Sequence, residues 1–319
     1  MAVTYLTKTE LGQFFHQNGN NIEASVRSAL IDSLVHSGVF QDGGGDGTRG
    51  WFESGPFSGG AVPPTIQILD VSSSTTVQTD PNLKAIVLDD SHGKTLNVTG
   101  GDNDVFVAMG KGSDTVHLSD SGNDTVYGGS GNDVISGGHG NSSLVGGDGN
   151  DSIYGGSGND TLDGGSGNDY LQAGTGAQSL VGGDGNDYLK DLTSGHSTLS
   201  GGSGNDTLVG VQGDYLQGGS GNNQFWLNGG ASGANSTLQG GSGNDNFHIQ
   251  SHIGNDTIIG GGGHDTVSFA DRSFFDVTKI DVDASTSTYT LHFSDNQTVS
   301  VSGIQDLHFT DQVVDLPKL

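Results

Sequence analysis

The sequence predicts an all-β protein: a parallel β-roll, a two-sheet right-handed solenoid with a short N-terminal helical segment and a C-terminal β cap. Three observations predict it. A nine-residue motif recurs through the middle of the chain. Glycine occurs 58 times in 319 residues, roughly two and a half times its usual share. The acidic residues number 37, and all but Glu10, Glu23 and Glu53 are aspartates. Selective use of the shorter carboxylate points to a geometric task such as tight loops or metal ligation.

Along the chain, residues 1–40 read as a helical hairpin. Thr7-Lys-Thr-Glu10 fits a capping box. Asn18-Gly-Asn-Asn21 reads as a turn, and Ile22, Val26, Ala29, Leu30 and Leu34 then form one apolar stripe up to Gly38. Residues 41–64 read as a glycine-rich linker ending in Pro63-Pro64. Its Trp51, Phe52 and Phe57 leave open that part of it docks. Residues 65–99 carry short β-type runs, Ile66-Gln-Ile68, Ala85-Ile-Val-Leu88 and Leu96-Asn-Val98, and form an N-terminal β cap. Residues 100–268 are the repeat region. Residues 269–319 lose the repeat and alternate as strands at Tyr289–Phe293, Val299–Val301 and Leu307–Phe309.

The repeat is clearest in Gly128-Gly-Ser-Gly-Asn-Asp133-Val-Ile135-Ser136, which fits G-G-x-G-x-D-x-U-x with U a large apolar residue. The U positions fall every nine residues at Val126, Ile135, Leu144, Ile153, Leu162, Leu171, Leu180 and Leu189. They continue less strictly through Leu199, Leu208, Leu216, Phe225, Leu238, Phe247, Ile258 and Val267. So much glycine excludes a helix. The pattern instead reads as a six-residue turn and a three-residue strand, with U inward and its neighbours outward. Two repeats make one coil, and coils stack as parallel strands about 4.8 Å apart.

Stacking aligns the sixth loop positions into columns of carboxylates. Asp124, Asp133, Asp151, Asp160, Asp169, Asp187, Asp206, Asp214, Asp245, Asp256 and Asp265 are the candidate metal ligands. Such columns repel unless a cation sits between them. Aspartate oxygens with loop carbonyls make the all-oxygen shell that calcium takes, whereas magnesium wants a rigid octahedron and keeps its waters. Alternate assignment puts Asp133, Asp151, Asp169, Asp187, Asp206 and then Asn223 on one edge. The other edge receives Asp124, Ser142, Asp160, Gln178, His196 and Asp214, so it is expected to bind calcium less tightly.

These repeats resemble the RTX (repeats-in-toxin) calcium-binding β-roll over about residues 100–268. The resemblance implies several bound calcium ions, export by type I secretion through an uncleaved C-terminal signal, and an extracellular location. The closing stretch from Ser302 to Leu316 is similar to RTX C-termini. The N-terminus lacks a basic start followed by an apolar run, so a cleaved signal peptide is not expected.

A net charge of −27 argues against nucleic acid and anionic membranes as partners. No cysteine is present, which excludes disulfides and thiolate metal sites. No run approaches 18 apolar residues, so no transmembrane helix is expected. The 11 histidines are scattered, H-E-x-x-H does not occur, and no G-x-S-x-G elbow exists. The chain is therefore expected not to be an enzyme. Outward positions on one sheet collect Val134, Tyr154, Tyr170, Tyr188, Val209 and Trp226, and on the other Tyr127, Tyr215, Val145 and Val181. The leading expectation is a secreted calcium-binding structural or adhesive protein of a bacterial surface or matrix, folding on calcium and self-associating. The alternatives are a carbohydrate-binding module and a secreted enzyme, for which only residues 1–99 leave room.

Overall fold

The computed structural model describes residues 2–6, 50–54, 60–61, 68–71, 74–79, 83–88, 92–193, 196–229, 233–250 and 254–316, the first four stretches as backbone. The chain forms two compact units, Met1–Gly165 and Ser166–Leu319. Both are built from two parallel sheets, with consecutive strands alternating between them. Among the described residues the only helix is a single 3-10 turn, Phe274–Asp276.

The alternation follows from the motif. A loop of about six residues reverses the chain, so each strand lies on the opposite wall from the one before. In the first unit Thr125–Ser130 pairs in parallel with Ser143–Asp148 on one sheet, and Val134–Ser136 pairs with Ser152–Tyr154 on the other. In the second unit Ser179–Asp184, Thr198–Ser203, Tyr215–Ser220 and Thr237–Ser242 form one continuous parallel run. Tyr188–Lys190, Thr207–Val211, Gln224–Asn228 and Asn246–Ile249 form the facing run. Register places like on like: Val126 opposite Leu144, Ile135 opposite Ile153, Leu180 opposite Leu199.

Every U residue from Val126 to Val267 is fully buried. The core is built chiefly of these side chains, joined in the last repeats by Leu227, Ile249 and Phe269. Phe225 and Phe247 stack in it with centroids 4.5 Å apart. The ten-residue step to Leu199 and the eight-residue step to Leu216 keep parity, since Leu199 pairs with Leu180 on one side and Leu216 on the other. The irregular lengths are absorbed in the loops, where His196 takes a positive φ of 58°.

Four local expectations change. Strands of one sheet are six residues long, as in Thr125–Ser130, because the ladder continues through the glycine pair after the U position. Ala2–Leu6, read as the start of a helix, is a strand antiparallel to Gly50–Ser54. That second strand takes Trp51 and Phe52 out of the expected linker and pairs in parallel with Ile68–Val71. The rest of the expected helical hairpin lies outside the described residues. Val209, expected to face outward, is nearly buried.

The repeats end in an antiparallel cap. Thr298–Ser302 continues the parallel sheet against Asn255–Gly262, then Thr288–Phe293 and Val277–Asp283 add antiparallel strands. On the other sheet Asp306–His308 follows Thr266–Phe269 and pairs antiparallel with Val313–Asp315. The closing stretch is therefore largely folded into the sheets.

Candidate metal centre

The loop geometry explains the glycines. The second and fourth loop positions have left-handed φ, for example 96° at Gly129 and 131° at Gly131, a region L side chains avoid. The first position is glycine for a different reason: space. A Cβ on Gly128 would lie 2.6 Å from Oδ2 of Asp133 and collide with the carbonyl of Gly146. Gly182, Gly201, Gly240 and Gly260 face Oδ2 of Asp187, Asp206, Asp245 and Asp265 in the same way. Each sixth-position carboxylate therefore folds back over the first residue of its own loop.

The other carboxylate oxygen reaches the preceding coil. On the carboxylate-rich edge of the first unit, Oδ1 of Asp114, Asp133 and Asp151 accepts the N–H of Lys94, Asp114 and Asp133, each at 2.7 Å. In the second unit Asp187 and Asp206 accept from Asp169 and Asp187 at 2.8 and 2.9 Å. Asn223 continues the column by accepting from Asp206, Asp245 from Asn223, and Asp265 from Asp245. Gln305 of the C-terminal cap closes it, taking the Asp265 N–H at 2.5 Å.

This leaves an electrostatic debt. Oδ2 of Asp124, Asp133, Asp187, Asp206, Asp245 and Asp265 is buried and meets no donor. Burial pushes the carboxyls of Asp124 and Asp133 up to about 8 from 3.8, helped at Asp133 by the charges of Asp151 and Asp114. Burial also lifts Asp151, Asp206 and Asp245 to about 6, and raises Asp187 and Asp265. An anion without donors in such a place costs several kcal/mol, roughly, unless a cation compensates it. The residues fit calcium: a row of hard, unshared oxygens beside glycine loops rich in main-chain carbonyls. Among the described residues no three His, Cys, Asp or Glu side chains converge on one point. A cation here would draw much of its shell from carbonyls and water. Calcium would supply charge compensation between coils and no other chemistry.

The second edge is built differently. Oδ1 of Asp124 accepts from Val105, and that of Asp160 from Ser142. Where aspartate is missing, a serine hydroxyl takes the N–H: Ser142 from Asp124, Ser197 from Gln178, Ser236 from Gly213. Ser197 therefore fills the slot expected for His196, because the loop before it is one residue longer. Asp214 and Asp256 also depart from the pattern. Asp214 accepts from both Ser197 and Val211, and Asp256 from Ser236 and Gln297, so all four oxygens have protein donors.

Sequence reasoning missed several residues. Asp114 begins the first column, hidden because its loop opens with Met109 instead of glycine. Asp120 and Asp191 are buried aspartates outside the sixth position. The fifth-position asparagines form a second ladder that runs the opposite way: Asn150 donates its N–H to Oδ1 of Asn132, and Asn205 to Asn186. Their recurrence in the motif was the available signal.

A stacked two-sheet solenoid whose turns carry columns of buried, half-satisfied aspartates defines a calcium-loop β-roll. The profile of the RTX calcium-binding nonapeptide repeat (4 copies) matches residues 118–153, 140–171, 172–190, 192–215, 212–231, 231–248 and 248–270. The matched repeats are RTX calcium-binding repeats, and together with the parallel two-sheet solenoid they fit an RTX β-roll protein. Comparison with curated proteins gives no match. The column geometry begins before the matched region, at Asp114. RTX repeats are typical of secreted proteins and are structural, not catalytic, units. Among the described residues no helix is long and apolar enough to cross a membrane.

Proposed function

We propose that this is a secreted structural or adhesive protein whose β-roll folds when several calcium ions fill the aspartate columns outside the cell. The observation that carries the reading is the row of buried Oδ2 atoms without donors at Asp133, Asp187, Asp206, Asp245 and Asp265. Extracellular calcium modules have dissociation constants of about 10⁻⁴ to 10⁻³ M. At ten times that constant each site adds about 1.4 kcal/mol, so five add about 7, comparable with the net stability of a domain. At roughly micromolar calcium the same sites add almost nothing, and the chain stays expanded by its own charge. Far-UV circular dichroism during a calcium titration tests this: β signal is expected to appear cooperatively with calcium. Full β structure in excess chelator contradicts it.

Association with other copies or with a surface component belongs to the same reading. The nearly fully exposed Phe275 and the exposed edge strand Val277–Asp283 with Ile280 and Val282 support it. Electron microscopy with and without calcium tests it, and a strictly monomeric calcium-loaded species at high concentration contradicts it.

A glycan-binding role is the second reading. It is favoured by exposed ring faces on one sheet, Tyr170 stacked on Tyr188 at 5.4 Å and Trp226 on His248 at 4.0 Å. Such stacks also arise from cross-strand packing alone. Glycan binding lost on Tyr188→Ala or Trp226→Ala favours this role, and unaltered binding in both variants removes it.

A further inference from the structure

The two sheets of the second unit end unevenly. One runs three strands past Asn255–Gly262, and the facing one runs two past Thr266–Phe269. The surplus strand is Val277–Asp283. In its ladder Ile280 lies opposite Leu291 and Val282 opposite Tyr289, so these four side chains share the inner face of the sheet. Leu291 is fully buried and Tyr289 nearly so, yet Ile280 is 38% and Val282 54% exposed. The alternate residues Lys279, Asp281 and Asp283 take the outer face. There Lys279 donates to Asp281 at 2.8 Å, and His292 Nε2 lies 2.8 Å from the same carboxylate. Among the described residues no strand pairs with the far edge of Val277–Asp283.

We propose that this edge pairs with the same edge of a second copy, antiparallel about a two-fold axis, with Ile280 opposite Ile280. The proposal rests on the association reading above and names its contact. An edge strand presents its main-chain N–H and C=O groups to another chain, and exposed apolar side chains favour that pairing. A two-fold axis normal to the sheet sets inner residues opposite inner ones and outer opposite outer. Charge then selects the register. Centring the pair on Lys279 or on Asp281 sets that residue against its own counterpart, and centring it on Val282 sets Asp281 against Asp283. Like charges directly opposite destabilise a ladder. Centring on Ile280 sets Lys279 of each copy opposite Asp281 of the other, so two opposite-charge pairs flank an apolar one. A strand complementary to itself in this register fits a second copy better than an unrelated chain. The contact is isologous, so it closes at two copies and builds no filament by itself.

Charge exchange in the full chain at saturating calcium tests the contact, read by sedimentation velocity. The unaltered protein is expected to dimerise. Lys279→Asp and Asp281→Lys, each alone, create two like-charge pairs and are expected to weaken the dimer by about tenfold or more. Both positions are exposed, and surface ion pairs contribute little to folding. An equimolar mixture of the two variants is expected to restore the dimer, because every charged pair between them is again of opposite sign. That recovery also shows that both variants fold. Single variants that dimerise as tightly as the unaltered protein overturn the proposal, and so does a mixture that stays monomeric. Either result leaves the association reading in place as long as the unaltered protein associates. An unaltered protein that is monomeric at high concentration removes the reading and the contact together.

Discussion

Asp151 Oδ1 accepts the main-chain N–H of Asp133, 18 residues earlier, at 2.7 Å. The contact joins two coils through one carboxylate oxygen, as the Asp133 contact to Asp114 does. A sixth-position aspartate therefore has two separable tasks. One oxygen caps the coil before it, and the other is left for a cation. Asn223 stands in the same column and performs the first task alone, accepting from Asp206 at 2.9 Å.

The two tasks can be separated at Asp187. Asp187→Asn keeps a carbonyl oxygen for the Asp169 N–H and loses the charge. Asp187→Ala loses both and leaves that N–H buried without this acceptor, at a cost of about 1–3 kcal/mol. Thermal unfolding at saturating calcium is expected to rank wild type above Asp187→Asn, and Asp187→Ala lowest. Both variants are expected to raise the calcium midpoint for folding. A reversed order of the two variants contradicts the division of labour.

The first loop glycine makes room for that second oxygen. Gly128→Ala sets a methyl group 2.6 Å from Asp133 Oδ2 and against the Gly146 carbonyl. Overpacking of this kind costs about 1–3 kcal/mol, and here it also displaces the buried oxygen that has no donor. Gly262, in a third loop position, has nothing within 4 Å of the added carbon. Gly262→Ala is expected to be neutral or to stabilise by about 0.4–1 kcal/mol through the unfolded chain. Paired calcium titrations of the two variants check the contrast. Equal midpoints count against the cradle.

The inward U residues were legible because nine-residue spacing and strand alternation leave one arrangement that buries them all. Asp133 through Asp206 were legible for the same reason: loop registry follows core registry. His196 was misassigned because sequence alone does not say where a ten-residue step hides its extra residue. The structure puts it in the loop, and Ser197 takes the column slot. Asp120 was passed over because the motif places glycine at position two, and its burial is visible only in three dimensions. The difference between Asp133, with an open oxygen, and Asp214, with both oxygens engaged, is likewise a matter of coil stacking that the motif does not encode.

The two edges are expected to differ in calcium affinity. Asp133 has Asp114 and Asp151 on either side of it in its column. Asp160 has Ser142 on its preceding coil, where the hydroxyl keeps the hydrogen bond and brings no charge. Asp133→Ala is therefore expected to raise the calcium midpoint for folding more than Asp160→Ala. The opposite ranking, in titrations followed by circular dichroism, removes the asymmetry.

Protons can stand in for calcium. The folded-state carboxyls of Asp124 and Asp133 are raised to about 8 and that of Asp214 to about 7, chiefly by burial. Between about pH 4, where an unfolded aspartate titrates, and pH 8 the calcium-free folded chain binds more protons than the unfolded one. Its stability therefore falls as pH rises through that window. In metal-depleted buffer the β signal is expected to be stronger at pH 5 than at pH 8.5. A metal-free chain whose structure grows as pH rises contradicts this.

The C-terminal cap carries the reverse dependence. Arg272 is 5% exposed and rests over the Phe293 ring, 4.3 Å from its centroid. Its guanidinium donates to Asp295 at 2.7 Å and to Gln297 Oε1 at 2.5 Å. Gln297 in turn donates to Asp256 Oδ2 at 3.2 Å, which ties the cap to the last repeats. The hydrogen bond from Arg272 holds the Asp295 carboxyl below its usual value. A depressed folded value means that the contribution is present above about pH 4 and is lost as pH falls through the lower one. Asp295 is substantially exposed, so solvent screens the pair, and the larger cost of losing it lies with the buried cation left behind. Asp295→Ala is expected to destabilise the cap at neutral pH and to flatten its acid sensitivity. Arg272→Met, which keeps apolar bulk and removes the charge, is expected to be milder. Hydrogen exchange over Val277–Asp283 and Thr288–Phe293 reads the cap apart from the repeats. Exchange that is faster in Arg272→Met than in Asp295→Ala shows that the guanidinium, not its compensation, is what the cap depends on.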